Sequence, residues 1–285
     1  MLQQTRVAAA IPYYERFLQR FPSVQALARA REASVLAAWS GLGYYRRARQ
    51  LRMAAREICR RHGGRFPVTL AEACALPGVG EYTAAAVLSI AYGQPLPAVD
   101  GNARRVVSRL LGRNAATAEA RERLAEWIAP RAAGDFNQAV MELGALVCTP
   151  RAPQCARCPL RGLCRSRGEG PALRTAARTQ QVRLAYGLAR DGRGRVWLVQ
   201  RGADAAQMAG MWELPAMAAP GAARPLFRLR HAITTSAITA SVFALSGPEG
   251  PGRWVRRAQA GRLPLTGLTK KILRRAGAAG ANGRR

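Results

Sequence analysis

Four cysteines within seventeen residues constrain this chain more than any other feature: Cys148, Cys155, Cys158 and Cys164, spaced C-x6-C-x2-C-x5-C. Four thiolates so close in sequence either close a tetrahedral metal site or hold a cubane iron–sulfur cluster. The run lacks carboxylates, so a soft metal or a cluster is the natural guest, and spacing alone does not separate the two. The other two cysteines, Cys59 and Cys74, lie alone in helical patterns and read as small buried apolar residues.

The N-terminus, Met1-Leu2-Gln3-Gln4-Thr5, has no charged segment followed by an apolar one and does not read as a signal peptide. Six cysteines without an export signal point to a reducing compartment, where metal binding is favoured over disulfides. No apolar run approaches the ~18 residues a membrane span needs. The expected location is the cytoplasm, at the nucleoid.

The nucleoid follows from charge. Lys and Arg number 45 against 16 Asp and Glu, a formal charge of +29 on 285 residues. Such an excess points to a polyanionic partner, nucleic acid first. A genome rich in Ala, Arg and Gly codons accounts for part of it, but not for the scarcity of acids: the aspartates are Asp100, Asp135, Asp191 and Asp204 alone.

Residues 1 to about 147 read as helix after helix, with apolar residues at spacings of three and four (Val24, Leu27, Ala28; Val35, Leu36, Trp39) and Gly or Pro breaks between them. After Cys164 a polar Gly/Pro-containing linker follows, and the character changes. Val182 to Leu188 and Val196 to Gln200 read as strands around Asp191-Gly192-Arg193-Gly194, Ile233 to Phe243 as another, and Ile272 to Arg275 as part of a short terminal helix. The chain divides into an all-α domain at 1–166, a linker at 167–180, an α+β domain at 181–276 and a disordered tail at 277–285.

Two helical-domain segments carry chemistry. Leu76-Pro77-Gly78-Val79-Gly80 is a tight turn between helices, whose backbone N–H groups beside a helix N-terminus suit a phosphate. A plain helix–helix connection has the same composition. Val99-Asp100-Gly101-Asn102 sets a carboxylate in apolar surroundings at the start of a basic helix, where it serves equally as an N-cap.

Taken in this order and spacing, hairpin, aspartate and cysteine run resemble the helix-hairpin-helix DNA glycosylases with an iron–sulfur cluster. Met1-Leu2-Gln3-Gln4-Thr5 and Gly41-Leu42-Gly43-Tyr44-Tyr45 extend the resemblance to the adenine-specific MutY branch. It implies a [4Fe–4S] cluster on Cys148, Cys155, Cys158 and Cys164, and a monomer acting on double-stranded DNA with adenine opposite 8-oxoguanine or guanine. The base must leave the stack before its glycosidic bond is reached. Breaking that bond makes an oxocarbenium-like sugar, which a nearby carboxylate stabilises. Asp100 matches the catalytic aspartate, Asn102 a residue near the sugar–phosphate, and Tyr82 a tyrosine by the sugar. Bifunctional relatives carry a lysine at the Tyr82 position as amine nucleophile; here Lys270 and Lys271 are the only lysines.

The resemblance also makes Tyr44 the aromatic wedge beside the lesion, and Gln4 the residue filling the space behind the extruded adenine, with Leu2, Gln3 and Thr5 on the same element. Basic residues Arg46, Arg47, Arg49, Arg104, Arg157 and Arg161 suit phosphates, and those of the first group suit a solvated helix face as well. The C-terminal domain resembles the family's Nudix-like lesion-recognition domain, best at Met208 to Pro215. Glu213 and Glu249 are its only glutamates, too few for a magnesium-binding Nudix helix, so it is expected to bind rather than hydrolyse. Ile233, Thr234 and Thr235 stand where the family reads Phe-Ser-His.

The family's adenine-protonating glutamate precedes the position of Met1. Two expectations follow: the chain continues upstream of an internal methionine, or the short form is a lesion-binding protein slowed by ~10²–10⁴. An endonuclease-III-like glycosylase/lyase for oxidised pyrimidines and a non-catalytic DNA-binding module are the alternatives.

Overall fold

The computed structural model describes residues 1–3, 5, 7–167, 180–218, 223–233 and 236–281. The first 147 residues are helical as expected: α1 (Val7–Arg20), α2 (Val24–Arg29), α3 (Glu32–Trp39), α4 (Arg46–Arg61), α5 (Leu70–Cys74), α6 (Glu81–Tyr92), α7 (Gly101–Leu111), α8 (Thr117–Trp127) and α9 (Ala133–Glu142). Local chemistry sets several ends. Ser23 caps α2 by accepting from Ala26 N–H at 3.1 Å. Thr69 caps α5, its hydroxyl accepting from Glu72 N–H and donating to the Glu72 carboxylate. α9 runs on into a π-turn, Leu143–Val147.

The chain then forms β1 (Gln180–Ala189), β2 (Val196–Gln200), β3 (Trp212–Glu213), β4 (Ala216–Met217), β5 (Phe227–Ile233), β6 (Ser236–Leu245), β7 (Gly252–Val255), α10 (Arg257–Ala260) and α11 (Gly267–Ala281). Two sheets result, ordered β4-β1-β6-β5 and β3-β2-β7. β1 and β6 are parallel over ten pairs, Gln180↔Ser236 to Ala189↔Leu245. The α+β character is as expected, with three corrections. The strand expected from Ile233 to Phe243 is cut, because the chain reverses: Ile233 ends β5 and pairs antiparallel with Ser236 of β6. β5 was not expected, although Phe-Arg-Leu-Arg-His-Ala-Ile alternates in burial. The expected tail at 277–285 is helical to Ala281, since the alanines after Arg275 prolong α11. The linker lies almost wholly outside the described residues.

Two compact units emerge, and the N-terminal helices divide between them. Residues 65–176 make one; residues 1–64 and 177–285 together make the other. The reason is apolar. Met211, fully buried, joins Phe17, Phe21, Leu27, Val35, Leu36, Trp39 and Tyr45 in a single core, with Met208 packed against it. Arg49 of α4 donates to Ala209 O, and Tyr45 Oη donates to Leu265 O at 3.3 Å. The Met208–Met211 segment thus completes a core the N-terminal helices leave open. Met211→Ala is expected to cost about 2–5 kcal/mol of unfolding free energy, read by urea denaturation; a cost below about 1 kcal/mol would show that this contact does not hold the unit together.

Candidate active site and cysteine centre

In residues 65–176 the geometry converges on the start of α7. The approach to it is extended and fixed by buried Asn137 of α9. Its Oδ1 accepts from Ala98 N–H at 2.9 Å, and its Nδ2 donates to Leu96 O and Ser89 Oγ, both at 2.8 Å. Asp100 then caps α7: Oδ1 accepts from Ala103 N–H at 2.7 Å, and Oδ2 accepts from Asn102 Nδ2 at 3.0 Å. The cap and the candidate catalytic carboxylate are one group, half-buried and held by two donors.

Behind Asn102 stands Arg105, buried one turn further along α7. Its guanidinium donates to Asn102 Oδ1 at 2.7 Å, Gly144 O at 2.6 Å and Cys148 O at 2.8 Å. A guanidinium has no acceptor, so Arg105 fixes which way the Asn102 amide faces: oxygen toward the arginine, N–H toward Asp100. Gly144 permits this approach, since a Cβ there would lie 2.7 Å from Asn102 Cβ. Sequence reasoning missed Arg105, Asn137 and Gly144. Spacing could have found Arg105, because residues three and four apart share a helix face; the other two act across chain segments and left no local signal.

Tyr82, in the first turn of α6, donates to Met141 Sδ at 3.1 Å. Burial, and next the Asp100 charge, push its phenol above the ordinary tyrosine range, so it stays protonated near neutral pH. The hairpin before it holds Gly78 at φ +77°, a left-handed conformation that favours glycine. Gly78 and Gly80 are exposed, Pro77 and Val79 half-buried, and no side chain caps α6. Arg104 is exposed on α7.

The cysteine run wraps onto the far end of the same helix. All four cysteines line one small cavity of about 30 Å³ with Arg109 and Arg161. Buried Arg109 donates to Cys148 Sγ at 3.2 Å, Thr149 O at 2.8 Å and Pro150 O at 3.1 Å. Among the described residues, no three His, Cys, Asp or Glu side chains gather tightly enough for a single metal ion. Four thiols around one cavity, beside positive charge and without carboxylates, fit a multi-iron cluster held by thiolates. Arg157 is exposed, as is Arg161. Cys59 and Cys74 are half-buried, not buried; Cys74 packs beside Ala73, Ala84 and Leu88, whereas Cys59 opens onto an arginine-lined surface.

The other unit holds the remaining sequence candidates. Tyr44 is exposed at φ +48° while Tyr45 is buried. Arg47 is not a solvated cation: it donates to Met1 O and Thr5 Oγ1, both at 3.0 Å, and lies over the Trp39 and Tyr44 rings. Arg49 pairs with Glu32 at 2.7 Å. Only Arg46 of that trio is exposed. Leu2 and Gln3 are exposed; Gln4, Thr234 and Thr235 lie outside the described residues. Glu213 is buried against Arg201 at 2.8 Å, a structural ion pair rather than a metal ligand.

Residues 1–130 match the family described as HhH-GPD superfamily base excision DNA repair protein. Over that segment the chain is similar to the HhH-GPD superfamily. Residues 148–164 match the iron–sulfur binding domain of endonuclease III, so the cofactor expected at the four cysteines is a [4Fe–4S] cluster rather than zinc. Adenine DNA glycosylase of Homo sapiens is 46% identical over 175 residues, 59% of this chain and 32% of the relative. That of Schizosaccharomyces pombe is 40% identical over 182 residues, 61% and 40%; that of Arabidopsis thaliana is 33% identical over 262 residues, 76% and 41%. The chain spans less than half the length of these curated relatives. A trapped endonuclease III–DNA covalent intermediate superposes with TM-score 0.53 at 25% identity, over 58% of this chain and 79% of that one. A thermostable thymine-DNA glycosylase does so with TM-score 0.54 at 27% identity, over 59% and 80%.

Iron analysis of protein purified without oxygen is expected to give about four iron atoms per chain and visible absorption, both lost in a Cys155→Ser variant. One zinc per chain would defeat the cluster assignment.

Proposed function

We propose that this chain is a monofunctional adenine DNA N-glycosylase, removing adenine opposite 8-oxoguanine or guanine as a monomer on duplex DNA at the nucleoid. One observation carries the reading: the Asp100 carboxylate is fixed by two donors at the head of α7, with the neutral phenol of Tyr82, and no lysine, in its field. With adenine extruded and its glycosidic bond breaking, a preorganised carboxylate at the sugar offsets the growing positive charge. The names of the curated relatives support adenine as the base removed.

The remaining roles follow the resemblance. The Pro77–Gly80 turn receives a backbone phosphate; Arg46, Arg104, Arg157 and Arg161 add cationic contacts; Tyr44 enters the stack, with Leu2 to Thr5 against the lesion. Ile233, Thr234 and Thr235 read the opposite base in a Nudix-like domain at 181–276. The cluster holds the DNA-facing loop in shape and takes no part in bond cleavage.

Single-turnover assays on an adenine–8-oxoguanine duplex test this. Abasic sites are expected to form without strand nicking, and borohydride to trap no covalent adduct. A trapped adduct, or preferential release of oxidised pyrimidines, would replace this reading with the glycosylase/lyase one. Mispair-specific binding without any abasic product would leave a lesion-binding protein.

A further inference from the structure

The unit made of residues 1–64 and 177–285 contains a cavity of about 560 Å³, lined by none of Asp100, Tyr82 and Asn102. Its floor is apolar: Val196 and Leu198 of β2, Val255 of β7, and Leu265. Its rim is cationic. Lys270, Lys271 and Arg274 come from α11, and Arg190 stands at the end of β1. Both lysines of this arginine-rich chain are therefore here.

Among the described residues, no Asp or Glu lines the cavity and none of these four cations makes an ion pair. Lys270 donates instead to Ser40 O, and Arg190 to Ala276 O at 2.8 Å. Arg16 and Arg274 add positive potential at Lys270, which burial and these neighbours depress below the ordinary lysine range. Like charges gathered around a partly dry cavity repel, and an anion is the occupant that relieves them.

A second observation is independent of charge. His231 of β5 lines the same cavity, and its Nδ1 is buried without a hydrogen-bond partner. Buried polar atoms are normally satisfied, so an orphaned ring nitrogen at a cavity wall marks a place for a ligand atom. The volume falls within the range of small-molecule sites, and the division into an apolar floor and a cationic rim asks for a ligand divided likewise.

We propose that this cavity binds a small organic phosphate of about mononucleotide size, its phosphate between Lys270, Lys271 and Arg274 and its less polar body on Val196, Leu198 and Val255. Guanidinium and ammonium groups are the usual phosphate partners. The proposal does not depend on the glycosylase reading, since it involves none of Asp100, Tyr82 or Asn102.

The test uses the full chain and adenosine 5′-monophosphate as probe, with adenosine and inorganic phosphate as its two halves. Calorimetry is expected to give saturable binding of the monophosphate with a Kd below about 1 mM, and each half at least about tenfold weaker. Lys271→Glu and Arg274→Glu, both at exposed positions, are expected to weaken binding tenfold or more without lowering Tm. Arg228→Glu, an exposed charge reversal on β5 that does not line the cavity, is expected to leave it unchanged. With two histidines in the chain, the His231 ring can be followed by nitrogen NMR and is expected to shift with the monophosphate. Equal affinity for inorganic phosphate, indifference to the α11 reversals, an unmoved His231 signal, or displacement of the nucleotide by undamaged duplex at its own binding concentration would each overturn the proposal. The last would make the cavity a DNA-backbone contact.

Discussion

Replacing Asp100 with Asn is expected to slow single-turnover adenine excision by about 10²–10³-fold relative to the parent chain, while unfolding free energy changes by less than about 1 kcal/mol. The separation follows from the two functions of one carboxylate. As an N-cap, Asp100 accepts from Ala103 N–H, and an asparagine oxygen does the same. As a charge stabiliser it must be anionic beside the sugar, and an amide is neutral. The substitution also disturbs Asn102. Its N–H faces Asp100 because Arg105 has claimed its oxygen, so an amide introduced in place of the carboxylate can answer it only with its own oxygen. Because parent and variant share every other residue, the ratio is independent of how the departing base is protonated. Excision at the parental rate by a folded Asp100→Asn chain would remove Asp100 from the chemistry, and the proposed function with it.

What could be read from the sequence divides along contact distance. The helices up to residue 147, the hairpin, Asp100 as a cap and the four-cysteine loop are local patterns, carried by neighbours in sequence, and the structure has them. That position 82 holds a tyrosine and not a lysine needs only its identity. Contacts that close over long separations were not legible. Met211 completing the core around Trp39, and Tyr45 reaching Leu265, join segments more than 160 residues apart, and no periodicity announces them. Arg47 shows the same limit on a smaller scale: a basic helix looks solvated until the ring of Trp39 and the carbonyl of Met1 arrive beside it. The β5–β6 reversal was hidden differently. A β-branched run crosses it unbroken in sequence, with none of the Gly or Asn that mark hairpins.

Arg105→Met is expected to lower both stability and excision, and the two losses are separable. Arg105 is buried, and its guanidinium is donor to Gly144 O and Cys148 O as well as to Asn102. Methionine fills much of the volume and leaves those acceptors unmet, at about 1–3 kcal/mol for each buried group that water cannot reach; about 3–5 kcal/mol in all is expected by urea denaturation. The second loss concerns orientation. Without the guanidinium, nothing holds the Asn102 oxygen away from Asp100, and its amide is free to turn an acceptor toward the carboxylate. Excision measured well below the melting transition, where the variant is folded, is expected to fall a further 10-fold or more, because a ligand group displaced by an ångström carries a large kinetic penalty. Arg105→Lys keeps the charge but not the fork, reaching only part of the acceptor set, and is expected to fall between parent and Met in both measures. The cysteine loop supplies an outside check: Cys148 loses the donor on its carbonyl, so iron should leave the Met variant faster under a chelator while Arg109 still holds Thr149 and Pro150. If the Met variant excises at the parental rate once corrected for its folded fraction, Arg105 is a strut for the loop, and the orientation of Asn102 is set by the backbone alone.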